Sequence, residues 1–171
     1  FLHMMETHQP YRALPPYRQR FEPANVSDHV REQAAVMNHV TSSYRYMAGD
    51  LQPSDAVWDL LRGWYDAAVA YVDAAVGRVV ALLRDLELYD DTLLIITADH
   101  GESFGEHNLA QHFYSLHVTL LHIPLIIRYP RAALGGHRVA GLVNHLDLLP
   151  TITAAVGTEA PETLSGTDLF P

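Results

Sequence analysis

The stretch "TLLIITADHGESFGEH", residues Thr92–His107, joins an apolar run directly to a segment dense in acids, histidines and glycines. The run Thr92–Thr97 is rich in Leu and β-branched residues and does not alternate with charged ones, which is typical of a strand buried on both faces. Asp99 and His100 follow it almost at once. The pattern therefore predicts a strand whose carboxyl end is followed by polar side chains, where open α/β sheets place their ligands.

A long amphipathic helix is predicted before this strand. Ser54 is suited to cap its start, because a serine side chain can accept a hydrogen bond from the first turn. After it, apolar residues recur at spacings of three and four, which is the helical period. These residues are Val57, Leu61, Trp64, Ala68, Val72, Ala75, Val79, Leu82 and Leu86. Gly63 and Gly77 inside the helix would each cost about 1 kcal/mol relative to Ala, which favours close packing on a neighbouring element. The pair Asp90–Asp91 is expected to end the helix.

Two further strands are predicted. Residues Ile123–Tyr129, "IPLIIRY", form a second apolar run, with Pro124 near its start where a missing N–H is tolerated. The opening residues Phe1–Met5 are expected to be a strand that leads into the loop Glu6–Pro16, whose three prolines exclude a continuous helix.

Two more helices complete the predicted architecture. One covers about Val30 to Tyr44, and the other is capped by Asp147, with Pro150 in its first turn and Gly157 after its end. Helices that lie between strands without alternation indicate an α/β fold with a mostly parallel central sheet flanked by helices.

Composition narrows the class of protein. The 171 residues are 49% hydrophobic, which is enough for a sizeable core in a globular domain. All 11 basic residues are Arg, and the net charge of −9 argues against binding to nucleic acid or an anionic membrane. No stretch has the length or apolarity of a membrane span, and neither compartment nor oligomeric state follows from the sequence. The absence of Cys excludes thiolate ligands and a cysteine nucleophile within these residues.

Asp99 and His100 are candidate metal ligands. A carboxylate oxygen beside an imidazole nitrogen suits Ca²⁺, Mn²⁺ or Zn²⁺, and Gly101 allows the backbone to turn tightly. Two ligands do not complete a site, so the others must come from elsewhere in the fold. The alternative is that Asp99 caps a turn and His100 lies on the surface.

Histidines recur at intervals of five after this pair, at positions 107, 112, 117 and 122. Five residues is neither a helical nor a strand period, so these side chains cannot share one face of a regular element. We therefore expect one or two of them to be functional and the others to lie on the surface or in packing contacts.

Several of these segments together resemble a known family. "TLLIITADHGESFGEHNLAQH" followed by "HIPLIIRYP" resembles the C-terminal part of the catalytic domain of sulfatases, in the alkaline phosphatase superfamily. "FLHMMETHQPY" resembles the family's strand and His-x-Pro-Tyr loop. "YVDAAVGRVVALLRDLELYDDTLLIIT" resembles its long helix and following strand, and "NHLDLLPTITAAVG" its Asp-x-x-Pro-Thr helix. Several motifs in the same order are more specific than any one of them.

The resemblance implies roles for individual residues. Asp99 and His100 would be two ligands of the active-site metal, with Ca²⁺ foremost and Mn²⁺ or Zn²⁺ as alternatives. His112, where many sulfatases have Lys, would be a catalytic residue at the sulfate and its bridging oxygen. His8 would bind the sulfate group. Glu102 and His107 belong to the motif without an assigned chemistry, and we expect them to contact the residues that bind the metal or the sulfate.

The resemblance also implies that part of the site lies outside these residues. The family's formylglycine nucleophile arises from Cys or Ser in a Cys/Ser-x-Pro-x-Arg motif of the N-terminal half, together with two more metal-binding carboxylates, and the sequence contains none of these. Residues 1–171 are thus expected to be a single partial catalytic domain of an incomplete alkaline-phosphatase-like fold, inactive alone.

The resemblance implies three functions, of which we favour the first. The first is metal-dependent hydrolysis of a small-molecule or carbohydrate sulfate monoester, with the nucleophile outside this chain. The second is a phosphonate monoester or phosphodiester hydrolase of the same superfamily, since His at positions 100 and 112 also occurs there. The third is a non-catalytic protein that binds a sulfated ligand through a degenerate site.

Overall fold

The computed structural model describes residues 1–12, 14–159, 161 and 163–170. Within these residues the chain forms six helices and four short strands. The helices are α1 (Tyr17–Phe21), α2 (Asp28–Met37), α3 (Val40–Met47), α4 (Asp55–Asp85), α5 (Val118–Leu121) and α6 (Leu148–Val156). The strands are β1 (Leu94–Thr97), β2 (Ser103–Phe104), β3 (Ala110–Gln111) and β4 (Leu125–Arg128). No helix in the described part of the chain is both long and apolar enough to span a membrane.

The chain divides into two compact units. The first contains residues 1–82 and 98–123, and the second contains residues 83–97 and those from 124 onward. The core of the first unit forms where α4 packs against α2, β2 and β3. Its buried side chains are Tyr11, Ala34, Met37, Val57, Trp58, Leu60, Leu61, Trp64, Phe104 and Ala110. The apolar spacing that predicted α4 thus supplies one wall of this core.

Helix α4 confirms the long helix predicted from the sequence, except at its end. It begins at Asp55, directly after Ser54, and ends at Asp85. Glu87 adopts a left-handed conformation with φ of 58°, and the Leu88 N–H donates to the Leu83 carbonyl at 2.8 Å. This bond closes the helix in the manner of a left-handed cap. The prediction that Asp90–Asp91 end the helix is therefore wrong; they lie in a separate 3₁₀ turn.

The two glycines of α4 differ in their surroundings. A Cβ at Gly63 would lie 2.5 Å from the Phe21 carbonyl oxygen, so the close packing predicted there is confirmed. A Cβ at Gly77 would have nothing within 4 Å among the described residues. The close packing expected at Gly77 is therefore not found in the described part of the chain.

The predicted helix at Val30–Tyr44 is two helices, because the chain breaks at its middle. His39 is extended, with φ of −138° and ψ of 141°, between α2 and α3. The Asn38 side chain bonds the backbone of Tyr11 in both directions, at 2.8 and 3.1 Å. A tertiary contact thus fills the break, and residue periodicity does not encode such a contact.

Residues Phe1–Met5, predicted as a strand, form no regular element. A strand requires a neighbour that receives its backbone hydrogen bonds. Phe1 and Leu2 are instead exposed.

Strands β1 and β4 confirm the two apolar strands in shortened form, but they pair antiparallel, with Leu94 opposite Arg128 and Thr97 opposite Leu125. β2 and β3 also pair antiparallel. Neither sheet of the described residues contains a parallel pair, so the predicted mostly parallel sheet is not shown. β1 is half-buried rather than buried on both faces. An apolar run predicts burial but carries no information on strand direction.

Helix α6 has the predicted start and end, with Pro150 in its first turn and Gly157 in a left-handed conformation after its last residue. The role predicted for Asp147 is wrong in detail. Its carboxylate accepts hydrogen bonds from the backbone of Asn144 at 2.8 Å and of Thr167 at 2.9 Å, and not from α6. Asp147 therefore ties the following chain to the turn before the helix.

Candidate functional site

The turn after Ala98 places Asp99 and His100 side by side. The Gly101 N–H donates to the Leu120 carbonyl at 2.8 Å, and a Cβ at Gly101 would overlap the backbone of Thr119. A glycine is therefore required for this close approach. The His100 N–H donates to Asp99 Oδ1 at 3.1 Å, which fixes the carboxylate beside the imidazole.

His100 is oriented for metal binding by its backbone partner. Its Nδ1 lies 2.8 Å from the Gly101 carbonyl oxygen, which only accepts, so Nδ1 carries the proton. The lone pair is then on Nε2, which lies 3.6 Å from Asp99 Oδ2. One cation at ordinary ligand distances would bridge two atoms at this separation. The pair thus fits two ligands of a divalent ion.

His8 reaches the same place from a loop held against the end of α2. Gln9 donates to the Met37 carbonyl at 2.9 Å, and the Tyr11 N–H donates to Asn38 Oδ1 at 2.8 Å. The His8 Nδ1 donates to the Gln9 carbonyl at 2.6 Å. The backbone hydrogen bond of His8 thus uses Nδ1 and leaves Nε2 to face a ligand, as in His100.

His112 follows β3 and completes a group of three imidazoles. Its ring centroid lies 4.2 Å from that of His100 in a stacked arrangement, and 5.2 Å from that of His8 edge-on. Gln111, the residue before His112, has a left-handed conformation with φ of 64°. Its side-chain amide donates to the Ser43 hydroxyl at 2.8 Å, and this bond anchors the backbone next to His112. We call His8, His100 and His112 the imidazole triad.

A buried acid, Glu102, contacts one member of the imidazole triad. His112 Nδ1 lies 3.2 Å from Glu102 Oε1, and the side chains are 16% and 6% exposed, respectively. The phenol of buried Tyr11 also interacts with this carboxyl group. Glu102 is therefore held between a phenol and an imidazole.

The electrostatics of the triad reflect this burial. Burial raises the pKa of Glu102 to about 7, although hydrogen bonds from Tyr11 and the Ser103 backbone and the charge of His100 act in the opposite direction. Burial also lowers the pKa of His112, and the nearby His100 and His8 lower it further, while Asp99 opposes them. The site thus disfavours a second proton on His112 until an anion is present to balance its charge.

The other histidines of the five-residue series lie apart from the triad. His107 and His117 stack on each other with centroids 3.9 Å apart and an interplanar angle of 11°. Both are exposed, as is His122. Among the four, only His112 contacts the other residues that the sequence predicted for the site.

All four predicted site residues, His8, Asp99, His100 and His112, lie in the first unit and are brought together. Within the described residues no group of three or more His, Asp or Glu side chains is arranged to hold a metal ion. Sequence reasoning missed Tyr11, and it expected Glu102 to support the site without saying which residue it contacts. Their only signals were membership of the "HQPY" and "DHGE" motifs, and neither motif reveals the contact between them.

The family follows from comparison with known proteins. The sulfatase family model matches residues 1–158. The chain belongs to the sulfatase family. Arylsulfatase K from Canis lupus familiaris is 35% identical over 113 residues, which cover 65% of this chain and 20% of that protein. N-acetylglucosamine-6-O-sulfatase from Bacteroides thetaiotaomicron is 28% identical over 149 residues, which cover 82% of this chain and 26% of that protein.

The fold of this family member is also found in a solved structure. The phosphonate monoester hydrolase from Silicibacter pomeroyi matches with a TM-score of 0.77 and 32% identity over 96% of this chain and 35% of that one. The mixed helix-and-strand architecture is therefore part of an alkaline-phosphatase-like fold. The chain spans a fifth to about a third of the length of these three relatives. Sulfatases generally use a divalent metal ion and a formylglycine.

Proposed function

We propose that the full-length protein is a hydrolase of sulfate monoesters and that this chain supplies one side of its active site. The imidazole triad beside Asp99 is the observation that carries the proposal, because each Nδ1 is occupied and each Nε2 is left for metal or substrate. The three histidines come from three loops that are separate in sequence. The packing of the hydrophobic core does not by itself require these loops to meet. Membership of the sulfatase family supports the reaction class.

Asp99 and His100 are proposed to hold a divalent cation through Oδ2 and Nε2. A bound cation would polarise the sulfuryl oxygens and stabilise the charge that develops on them. Ca²⁺ is the first candidate because it prefers carboxylate and other oxygen ligands, and Mn²⁺ or Zn²⁺ are alternatives that suit the imidazole. The remaining ligands are proposed to lie outside this chain.

His112 is proposed as the catalytic residue at the bridging oxygen and His8 as a ligand of the sulfate group. Because their Nδ1 atoms are engaged, both act through Nε2. Nε2 donates to a sulfate oxygen only when the ring carries a second proton. The negative charge of an incoming sulfate ester favours that proton. The same proton can then pass from His112 to the departing alcohol.

The nucleophile is proposed to be a formylglycine outside these residues, which contain no Cys. We likewise infer that residues 1–171 are one partial catalytic domain, although they pack as two compact units. β1 is inferred to join a larger, mostly parallel sheet whose other strands lie outside this chain. The half-buried face of β1 and the 58% exposure of Ile126 in β4 support this inference.

The decisive experiment is a substrate panel with the full-length protein. It comprises an aryl sulfate, N-acetylglucosamine 6-sulfate, an aryl phosphonate monoester and an aryl phosphodiester, each assayed before and after treatment with a chelator. Turnover of a sulfate that is lost with the metal and restored by adding Ca²⁺, Mn²⁺ or Zn²⁺ would support the proposal. The best-restoring ion would identify the metal.

Two alternatives have distinct outcomes in the same panel. Faster turnover of the phosphonate or the diester would favour the sister activity, which the similarity to a phosphonate monoester hydrolase makes the second candidate. Absence of turnover on every ester, with tight binding of a sulfated sugar, would favour a non-catalytic binding protein.

A further inference from the structure

Glu102 has a position that the proposed reaction does not use. Its side chain is 6% exposed and its Oε1 lies 3.2 Å from His112 Nδ1, on the opposite side of the ring from Nε2. A buried acid in this relation to a histidine holds the ring in one orientation and one proton arrangement.

We propose that Glu102, held by Tyr11, is a positioning residue that fixes His112 with its Nε2 toward the substrate. This inference rests on the proposed function, since it concerns how His112 acts. The acid keeps Nδ1 as the protonated nitrogen, and without it the ring is free to adopt the other tautomer or to rotate. His112 has no backbone carbonyl partner for Nδ1 in the described residues, unlike His8 and His100.

The other contacts of His112 do not replace this hydrogen bond. The rings of His100, His8 and Phe113 lie 4.2, 5.2 and 4.9 Å from it by centroid. Such ring contacts restrict the plane of an imidazole, but they do not distinguish one ring nitrogen from the other, since a flip about χ2 exchanges nitrogen for carbon with little change of shape. Only a hydrogen-bond partner makes that distinction.

Tyr11 is the residue that orients Glu102. Its backbone is bonded to Asn38 on both sides, at 2.8 and 3.1 Å, and its ring packs on Phe104 and Tyr65 with centroids 5.7 Å away in both cases. A phenol held this firmly donates from a fixed point. Tyr11 therefore acts on the carboxyl group from a fixed position, while Oε1 of that group lies 3.2 Å from the imidazole Nδ1.

The first test is a double-mutant cycle in the full-length enzyme. Glu102→Ala is expected to lower kcat about 10- to 100-fold with a much smaller change in KM. In the His112→Ala background, the same change should lower kcat by less than about threefold, because residues that act through each other are not additive. An equal loss in both backgrounds would overturn the proposal, since Glu102 would then act on the metal or the fold.

Matched variants separate positioning from structural support. Glu106→Ala removes another acid of the same loop, which bonds Arg62 and the Phe104 N–H but not His112, and should leave kcat unchanged. Tyr11→Phe should lower kcat several-fold in the presence of Glu102 and have no effect in Glu102→Ala. Tyr65→Phe, in the same aromatic cluster, is its control. Equal losses for Tyr11→Phe and Tyr65→Phe would contradict the role of Tyr11.

A spectroscopic readout tests the proposal even if no ester is turned over. In ¹⁵N-histidine-labelled full-length protein, the His112 resonance, identified by its loss in His112→Gln, should show a protonated Nδ1. Glu102→Ala should shift that resonance toward a mixture of forms. An unprotonated Nδ1 in the wild type, or an unchanged resonance in the variant, would overturn the proposal whether or not the protein is a hydrolase. Wild-type turnover reports the proposed function separately.

Discussion

Two groups of stacked imidazoles lie in the same unit of this protein and differ in almost everything except ring contact. His100 and His112 stack with centroids 4.2 Å apart, and His107 and His117 with centroids 3.9 Å apart. His112 is half-buried, with an acid on its Nδ1, whereas His107 and His117 are exposed. Among the described residues, no hydrogen bond is made by the ring nitrogens of the exposed pair.

The comparison shows that stacking alone does not make a site. Bringing flat rings together removes apolar surface from water and needs no particular nitrogen to point anywhere. Chemistry requires one nitrogen to be assigned, and a partner for the other nitrogen makes that assignment. His8, His100 and His112 each have such a partner. Two variants test this distinction, and a third tests the fold that supports both groups.

The largest effect is expected from Asp99→Ala in the full-length protein. The Asp99 side chain is 80% exposed and, among the described residues, bonds only to its neighbour His100, so its loss should remove a metal ligand without disturbing the fold. We expect loss of metal retention and a fall in kcat/KM of about a thousandfold or more. Elemental analysis and kinetics measure both. Asp91→Ala, which removes an exposed acid from a surface ion pair with Arg131, is the control. Unchanged metal content in Asp99→Ala would refute the assignment.

A smaller effect is expected from His112→Ala. Loss of a general acid should slow turnover by about 10²- to 10⁴-fold while the metal content stays the same. His117→Ala removes a stacked imidazole of the exposed pair and should leave kcat within about twofold, because surface changes of this kind are close to neutral. Similar losses of kcat in His112→Ala and His117→Ala would contradict the proposed difference between the two groups of imidazoles.

The smallest effect is expected from Glu22→Gln, which concerns the fold and neither group of imidazoles. Burial raises the pKa of Glu22, but hydrogen bonds from Arg31, Arg18 and Trp64 outweigh it and lower the pKa to about 2. A lowered pKa in the folded state stabilises the fold above the unfolded value and loses this effect as pH falls. The melting temperature of Glu22→Gln should therefore lie below that of the wild type at pH 7.

The pH series provides the control for this prediction. The gap between the two melting temperatures should narrow as the pH falls from about 4.5 toward 2, the range between the ordinary pKa of this acid and its folded value. Turnover per folded molecule at pH 7 should be the same in both proteins. A gap independent of pH would mean that the charge of Glu22 does not contribute to stability.

Much of the local structure was predictable because its causes are local. The start of α4, the cores of β1 and β4 and the turn at Gly157 follow from apolar spacing and from the conformational freedom of glycine. The end of α4 rests on a left-handed conformation at Glu87, which a residue other than glycine rarely adopts. The break at Asn38 and the direction of strand pairing depend on contacts between residues distant in sequence. Periodicity carries no record of such contacts.

The sequence by itself determined the family, the run of elements around Asp99 and His100, and the candidate residues at positions 8 and 112. It determined these because motifs in a fixed order are properties of the chain. Only the tertiary structure decided which histidines meet, which ring nitrogen each one presents and which acid lies behind His112. Those features arise where loops from different parts of the chain pack against one core, and hydrogen bonds there join residues that no spacing rule connects.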